Sequence, residues 1–456
     1  VSIDIHTPCE IDPTDAAYQS LLAQLQGNIL KSHGRDHVYC LFIAFHDDVN
    51  ASRDWLKAFC GMSLTSAAQQ FAEAVRYRRF GIPGSLFVNV YLSASGYAKL
   101  GIAPEQRPAD PRFRAGMASA QTALADPPLA RWEREYQQPL DALILLADDD
   151  ETQLLRAARA IRADMRPVAS LVAVEAGHVI RNHQGQPLEP FGYADGISQP
   201  VFLTADVQRV RARPGGTTQW NPLAPLSLVL TPDGLGGEDA YGSYLVYRKL
   251  EQNVYRFYRN VRELAAQFDD AAPDALAGAY AVGRFRNGTP VTLREQPTRK
   301  YDAPFNDFTY ADDPDGARCP VHAHVRKLNP RIDGWDNGHG VVRRGIPYGA
   351  RAPLLPNVQH TSHLPDHGVG LLFMCFQRDI AAQFEYLQQT LANDADVPVE
   401  GAGCDPLIGA SSAVAQQWCK RWGEGGAKVS FRFDEAVTLL GGGYFFAPSL
   451  GFFQNL

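Results

Sequence analysis

The chain has 456 residues, a formal net charge of -7 and a hydrophobic content of 45%. That charge, with no dense Lys/Arg run to overturn it, argues against nucleic acid as the main partner, and no stretch approaches the roughly 18 consecutive apolar residues of a membrane-spanning helix. The length and an aromatic content of 10% allow a sizeable core, in two domains or one large pseudo-symmetric unit.

The opening "VSIDIHTPCEIDPTD" has neither the basic start nor the apolar stretch of an export signal. The expectation is therefore a cytoplasmic protein, or a secreted one if a leader has been removed. Seven scattered cysteines with no CxxC pair read as reduced, mostly buried thiols, and the CxxCH of a covalently attached haem is missing.

Apolar alternation predicts strands at 38–45, 85–94, 141–148 and 170–177, with helices at 51–62 and at 151–165, where Leu154, Leu155, Ala158 and Ile161 recur at helical spacing. The second half repeats the plan: a strand at 242–250 and the helical stretch 251–264, then a strand at 369–376 and the helical stretch 377–391. Late strands follow at 428–433 and in "GGGYFFAP". Two similar halves imply duplication of one α+β unit, with the division placed between 1–203 and 204–456. Residues 204–241 and 286–368 read as long irregular connections, and loops of that length inside a compact chain are usually functional.

"FGYADGISQP" (191–200) sets a carboxylate, Asp195, between Gly192 and Gly196. Asp-Gly is a common turn dipeptide, so the stretch alone does not decide between a turn and a site. "CPVHAHVRKLNPR" (319–331) and "VVRRGIPYG" (341–349) add His322, His324 and a run of cations. On a strand the two histidines would share a face, but nothing completes a tetrahedral zinc set, and one histidine acting alone suits haem iron better. Arg326, Lys327 and Arg331 could form a cationic edge for two propionates, although Lys327 and Arg344 read better as solvated surface.

Together these segments resemble the dye-decolourising peroxidases: "FGYADGISQP" their Gly-x-x-Asp-Gly signature, "HAHVRKLNPR" their proximal-histidine segment and "RRGIPYG" their distal-arginine segment. "LQGNILKSHGRDH", "GRFRNGTPV", "GLLFMCFQRDIAAQFEYLQQ", "DPLIG" and "GGGYFFAPSL" extend the likeness over nearly the whole chain, closest to the larger, fungal-like and related bacterial branch.

The resemblance implies two ferredoxin-like halves of the dimeric α+β barrel type around a haem pocket, holding one non-covalent haem b per chain. It implies His324 as axial ligand to the iron, Asp195 as distal acid-base and Arg343, four residues before Pro347, as distal guanidinium. It places Gly196, Ile197 and Ser198 on the distal face, Asn329, Pro330 and Arg331 on the propionate side, and Leu371 and Phe373 as an apolar wall. Asp405 becomes the carboxylate behind the axial histidine.

Such an enzyme would use hydrogen peroxide to oxidise phenols and bulky dyes. Splitting the O–O bond needs a base that moves a proton from one oxygen to the other and a fixed cation for the leaving charge. Large dyes would be oxidised at the surface, with Trp335, Trp418 and Trp422 as candidates. The alternative is a haem-binding or haem-handling protein with incidental peroxidase activity, since fold does not fix function. A hydrolase is disfavoured because no Gly-x-Ser-x-Gly elbow occurs. Reductant and oligomeric state stay open.

Overall fold

The computed structural model describes residues 3–237, 240–269, 273–298, 305–331, 338–350, 363–410 and 414–456. The first half runs β1 (His37–Phe45), α1 (Val49–Ser63), α2 (Ala67–Phe80), β2 (Phe87–Leu92), β3 (Ala142–Asp148), α3 (Glu151–Met165) and β4 (Ala169–His178). Its antiparallel strands lie in the order β2-β3-β1-β4. β1 pairs on both sides, Leu41 facing Ile144 in β3 and Val174 in β4, and its sequence HVYCLFIAF is correspondingly apolar on both faces. Side-chain caps start the helices: Asp48 accepts from Ala51 N–H, Ser66 from Gln69 N–H, and Asp150 from Thr152 and Gln153 N–H.

The second half contains β5 (Tyr241–Gln252), α4 (Val254–Ala265), α5 (Pro273–Val282), α6 (His324–Leu328), β6 (Ile346–Tyr348), β7 (Gly370–Gln377) and β8 (Val437–Ala447). Its strands lie in the order β8-β5-β7-β6, the same permutation as in the first half. The two sheets join through Phe446–Leu92, between β8 and β2, and through Tyr348–Gly177, between β6 and β4. The eight strands thereby close into a barrel, which removes the free sheet edges. At the second seam a Cβ on Gly177 would fall 2.5 Å from Ile346 Cγ2, so only glycine lets the strands meet there.

The sheet of the second half is buried on both faces. Tyr247 (β5), Phe376 (β7) and Phe445 (β8) point into the barrel, against Phe42 and Tyr91 from the first half: Phe42 lies 4.8 Å from Tyr247 and 6.1 Å from Phe445 between ring centroids, and Tyr91 lies 6.0 Å from Phe376. Alternate residues, Arg248 and Leu250 on β5, Leu371 and Phe373 on β7 and Leu439 on β8, face a cavity on the other side. A second apolar cluster built around α4 and α5, with Phe257 and Tyr280 fully buried, lies apart from the barrel core.

Several expectations are corrected. α2 was not foreseen because only Ala67, Gln70 and Phe71 of its residues are buried, too few for an apolar stripe. α5 was also missed, and residues Thr204–Arg211 of the supposed irregular connection are helical. Glu251 and Gln252 continue β5 rather than opening a helix, and the helix expected at 377–391 is instead two π-helical stretches, Ala381–Glu385 and Leu387–Ala392, the second running one residue further. The strand foreseen at 428–433 ends at Phe431 and pairs with Gln416–Cys419 outside the barrel.

Phe42 packs against aromatic residues from both halves, so Phe42→Ala should lower the unfolding free energy by about 3–5 kcal/mol. Urea denaturation of the haem-free protein, with the slope unchanged, is the check.

Candidate active site

The segment carrying Asp195 is a turn held from several sides. Gly192 and Gly196 adopt φ of +92° and +73°, conformations that favour glycine. The Glu189 carboxylate accepts from the backbone N–H groups of Phe191 and Tyr193 and from Gln252 Nε2 on β5, tying the turn to the sheet. Asp195 N–H donates to Pro187 O at 3.0 Å, and Gly196 N–H donates to Asp195 Oδ1 at 2.6 Å.

Arg343 lies on a two-residue strand, Val342–Arg343, paired with β7. Its Nη1 is 3.6 Å from Asp195 Oδ1, and its Nη2 donates to Ser198 O at 3.2 Å. Both side chains keep about a third of their exposure, 37% for Arg343 and 33% for Asp195, so the pair faces an open volume. The neighbouring Arg344 points the opposite way, as strand alternation requires. It is half-buried and donates to Asn28 O and Ile29 O, and the loss of solvent around its guanidinium pulls it down to about 9. The solvated-surface reading of Arg344 is therefore wrong.

Across the cavity, His324 opens α6. Its Nδ1 lies 2.8 Å from Asp405 Oδ2, and Asp405 Oδ1 accepts from the N–H groups of Leu407 and Ile408. Burial pushes the Asp405 carboxyl up, but its contact with His324 and the backbone hydrogen bonds more than offset it, leaving the group below its ordinary value. An acceptor-only carboxylate on Nδ1 selects the tautomer with its proton there, which leaves the Nε2 lone pair free. Nε2 makes no hydrogen bond among the described residues.

The cavity between these groups has a volume of about 310 Å³. Asp195, Gly196, Ile197, Ser198, His324, Asn329, Arg343, Leu371 and Phe373 all line it, so the fold brings together nine residues named from the sequence. Pro330 and Arg331 do not line it. Arg331 Nη1 is taken up by Asn306 O and Phe308 O, and Nη2 by Asn306 Oδ1, which turns the side chain into the wall behind.

Arg326 and Lys327 form no cationic edge. Arg326 pairs with Asp313 at 2.9 Å, and buried Lys327 donates to Asp394 O, Val397 O and Gly403 O. His322 does not share a strand face with His324; it is buried in the preceding turn, 4.4 Å from the Trp418 ring. Trp418 is fully buried and unsuited to a surface role, Trp422 is partly buried with Nε1 donating to Val291 O, and Trp335 lies outside the described residues.

Two cavity-lining cations had not been singled out. Arg284 donates to Gly288 O, Phe305 O and Asn306 Oδ1, and burial together with neighbouring Arg331 lowers its guanidinium to about 9. Neither Arg284 nor Arg331 has an ion-pair partner among the described residues, so the wall carries guanidinium charge that the Asp307 carboxylate offsets only in part, at Arg331. The segment "GRFRNGTPV" contained that signal. Arg248 pairs with Asp126, each 6% exposed, and the signal was a charge that directly follows the apolar run of its strand. An imidazole with a free Nε2, an apolar wall and uncompensated guanidinium charge fit an iron porphyrin with its anionic carboxylates.

Comparison with known proteins agrees. Residues 24–180 match the family described as the DyP dimeric alpha+beta barrel domain, and residues 280–399 match Dyp-type peroxidase, C-terminal. The chain is 38% identical to the multifunctional dye peroxidase DyP2 of Amycolatopsis sp., over 100% of both sequences. The solved structure of DyP2 from that species superposes with a TM-score of 0.93 at 37% identity, covering 100% of both chains. A DyP-type peroxidase from Anabaena sp. superposes at 0.91 with 41% identity, covering 98% of this chain and 97% of its own. A deferrochelatase of Yersinia pestis is 32% identical over 48% of this chain and 41% of its own length.

Asp405→Ala should strand the His324 Nδ1–H and cost about 1–3 kcal/mol in the haem-free protein. Urea denaturation reads the loss, and a change below ~0.5 kcal/mol would show that the pair does not hold the ring.

Proposed function

Since the chain belongs to the dye-decolourising peroxidase family and is a peroxidase oxidoreductase, we propose that its cavity holds one non-covalent haem b, with His324 as axial ligand and Asp195 and Arg343 handling peroxide opposite it. The observation that carries this reading is the Asp195–Arg343 pair, 3.6 Å apart, facing the same volume as the free His324 Nε2.

Bound haem supplies the iron and the redox capacity for reducing peroxide. The chain supplies the proton handling. The Asp195 carboxylate accepts a proton from incoming hydrogen peroxide and returns it to the departing oxygen, so that water leaves rather than hydroxide. Arg343, fixed by Ser198 O, offsets the negative charge that builds on that oxygen. Asp405 keeps the His324 proton on Nδ1 and enriches the electron density of Nε2. Leu371 and Phe373 keep the wall apolar, which strengthens each of these interactions by excluding water.

Phenols and bulky dyes are the reductants in this reading, with large ones served from the surface. Of the tryptophans named for that role, Trp422 is the one among the described residues whose partial exposure supports it. The chain divides into functional halves at 203/204, the first bringing Asp195 and the second His324. A haem-handling role has support from the partial likeness to a deferrochelatase. The retained Asp195–Arg343 pair favours the enzyme.

The test is a haem titration followed by stopped-flow mixing with one equivalent of hydrogen peroxide. Asp195→Asn and Arg343→Leu should keep the ferric Soret band but slow its peroxide-induced change by about 10²–10⁴-fold and 10²–10³-fold respectively. His324→Ala should lose the Soret signature of an axial imidazole. A Soret band unmoved by peroxide in the wild type would favour haem handling.

A further inference from the structure

The barrel interior contains a polar cluster that the peroxide chemistry above does not use. Tyr247 on β5 is fully buried, and its hydroxyl lies 3.1 Å from that of Tyr136, with the two rings stacked 6.2 Å apart at 22°. The Tyr136 hydroxyl donates to Glu175 Oε1 at 3.0 Å. A carboxylate only accepts, so the proton order is set: Tyr247 donates to Tyr136, and Tyr136 donates to Glu175. Glu175 is paired with Lys249 at 2.8 Å, and Lys249 also holds Glu133 at 2.7 Å, whose side chain is 35% exposed. A hydrogen-bonded line thus runs from the buried phenols to the surface.

Space alone does not require these groups. Phe42 contacts both rings, at 5.6 Å from Tyr136 and 4.8 Å from Tyr247, and a plain hydrocarbon filling would avoid burying two hydroxyls and an ion pair. The neighbouring strand is shaped around one of the phenols: a Cβ on Gly441 would fall 2.3 Å from the Tyr136 ring, so glycine at this position opens room for it. Burial raises both phenols well above their ordinary range and keeps them neutral. A neutral phenol gives up an electron readily only when its proton leaves with it, and Glu175 is an acceptor already in hydrogen-bond contact. Tyr247 is adjacent in β5 to Arg248, whose side chain lines the cavity on the opposite face. One strand separates the two.

We propose that Tyr136 and Tyr247 form an internal electron-donor couple that refills the cavity site one electron at a time after peroxide has oxidised it. This rests on the reading that haem occupies the cavity. The electron passes from the couple across β5 to the oxidised site, the Tyr136 O–H bond breaks, its proton moves to Glu175 Oε1, and a neutral tyrosyl radical remains on Tyr136. An electron from the external reductant, with return of the proton from Glu175, restores the phenol. The couple holds an oxidising equivalent inside the barrel, away from solvent, until a reductant arrives.

Rapid-freeze electron paramagnetic resonance of the haem-loaded protein, after one equivalent of hydrogen peroxide, tests this. The expected result is a tyrosyl signal that narrows with ring-deuterated tyrosine. It should be lost in Tyr136→Phe and in Glu175→Gln, which removes the acceptor, and kept in Tyr97→Phe, a fully buried tyrosine outside the cluster. In the wild type, D₂O should slow its appearance, a readout that needs no variant to fold. A tyrosyl signal unchanged in Tyr136→Phe and Tyr247→Phe would overturn the proposal, as would a Soret band that responds to peroxide with no tyrosyl signal. A Soret band that ignores peroxide would instead sink the haem-cavity reading, and with it the oxidant the couple requires.

Discussion

Everything at this site depends on a sheet that must be buried on both faces. In the second half β5, β7 and β8 each present one set of side chains to the barrel and the alternate set to the cavity. Strand period 2 makes this an economical partition: a one-residue slip of β7 would exchange Leu371 and Phe373 for Leu372 and Met374 at the cavity and turn Leu371 and Phe373 into the barrel. Pairing of β7 with both β5 and β6 holds the register. The short strand carrying Arg343 pairs with the same β7, so the wall and the guanidinium are positioned by one element. The wall and Arg343 are therefore placed by the sheet, while Asp195 is placed by its own turn, which Glu189 ties to Gln252 of β5.

The opposite side is built differently. His324 sits on a helix of only five residues, too short to be stable by itself. Its neighbours supply the rigidity. Asp405 grips the ring at Nδ1, and Lys327, one turn along the same helix, binds three carbonyls of the segment 394–403 that leads into Asp405. The helix and the loop behind it are thus cross-linked twice, once through the imidazole and once through the ammonium. Lysine has three donors, and here each of them goes to a carbonyl, with no carboxylate in contact among the described residues.

Legibility in the sequence followed physical cause. β1 and β3 were readable because burial on both faces leaves a continuous apolar run, and α3 because Leu154 and Ala158 mark a single inward face. α2 was unreadable because its final turns are exposed all round, with Tyr77 and Phe80 in solvent. Asp195, Arg343 and His324 could be named because they lie in segments with a family likeness, and Asp405 for the same reason. Arg326, Lys327 and Arg344 were misjudged together. Composition favours cations at the surface, and their actual partners are largely backbone carbonyls, which leave no mark in a sequence. Trp418 was misjudged by the converse rule, since its burial depends on the Gln416–Cys419 hairpin that lies outside the barrel pattern.

Buried cations in this protein fall into two kinds, and the difference has a consequence at the cavity. Arg248, Lys249 and Arg326 each have a carboxylate partner, so their charge is cancelled locally. Arg284 and Arg331 instead share Asn306 Oδ1 and take most of their remaining bonds from carbonyls, with one longer bond from Arg331 Nη2 to Ser198 Oγ at 3.4 Å. Carbonyl dipoles stabilise a cation without removing its net charge, and at low local dielectric that charge reaches farther than it would in water. The same burial that lowers both guanidiniums to about 9 and about 10 makes an incoming anion favourable beside them. A protein with a net charge of -7 has thus gathered two guanidiniums, with no ion-pair partner among the described residues, behind one wall of its cavity. That placement favours a cofactor that is apolar across its face and anionic at its edge, and disfavours a neutral apolar ligand of the same shape.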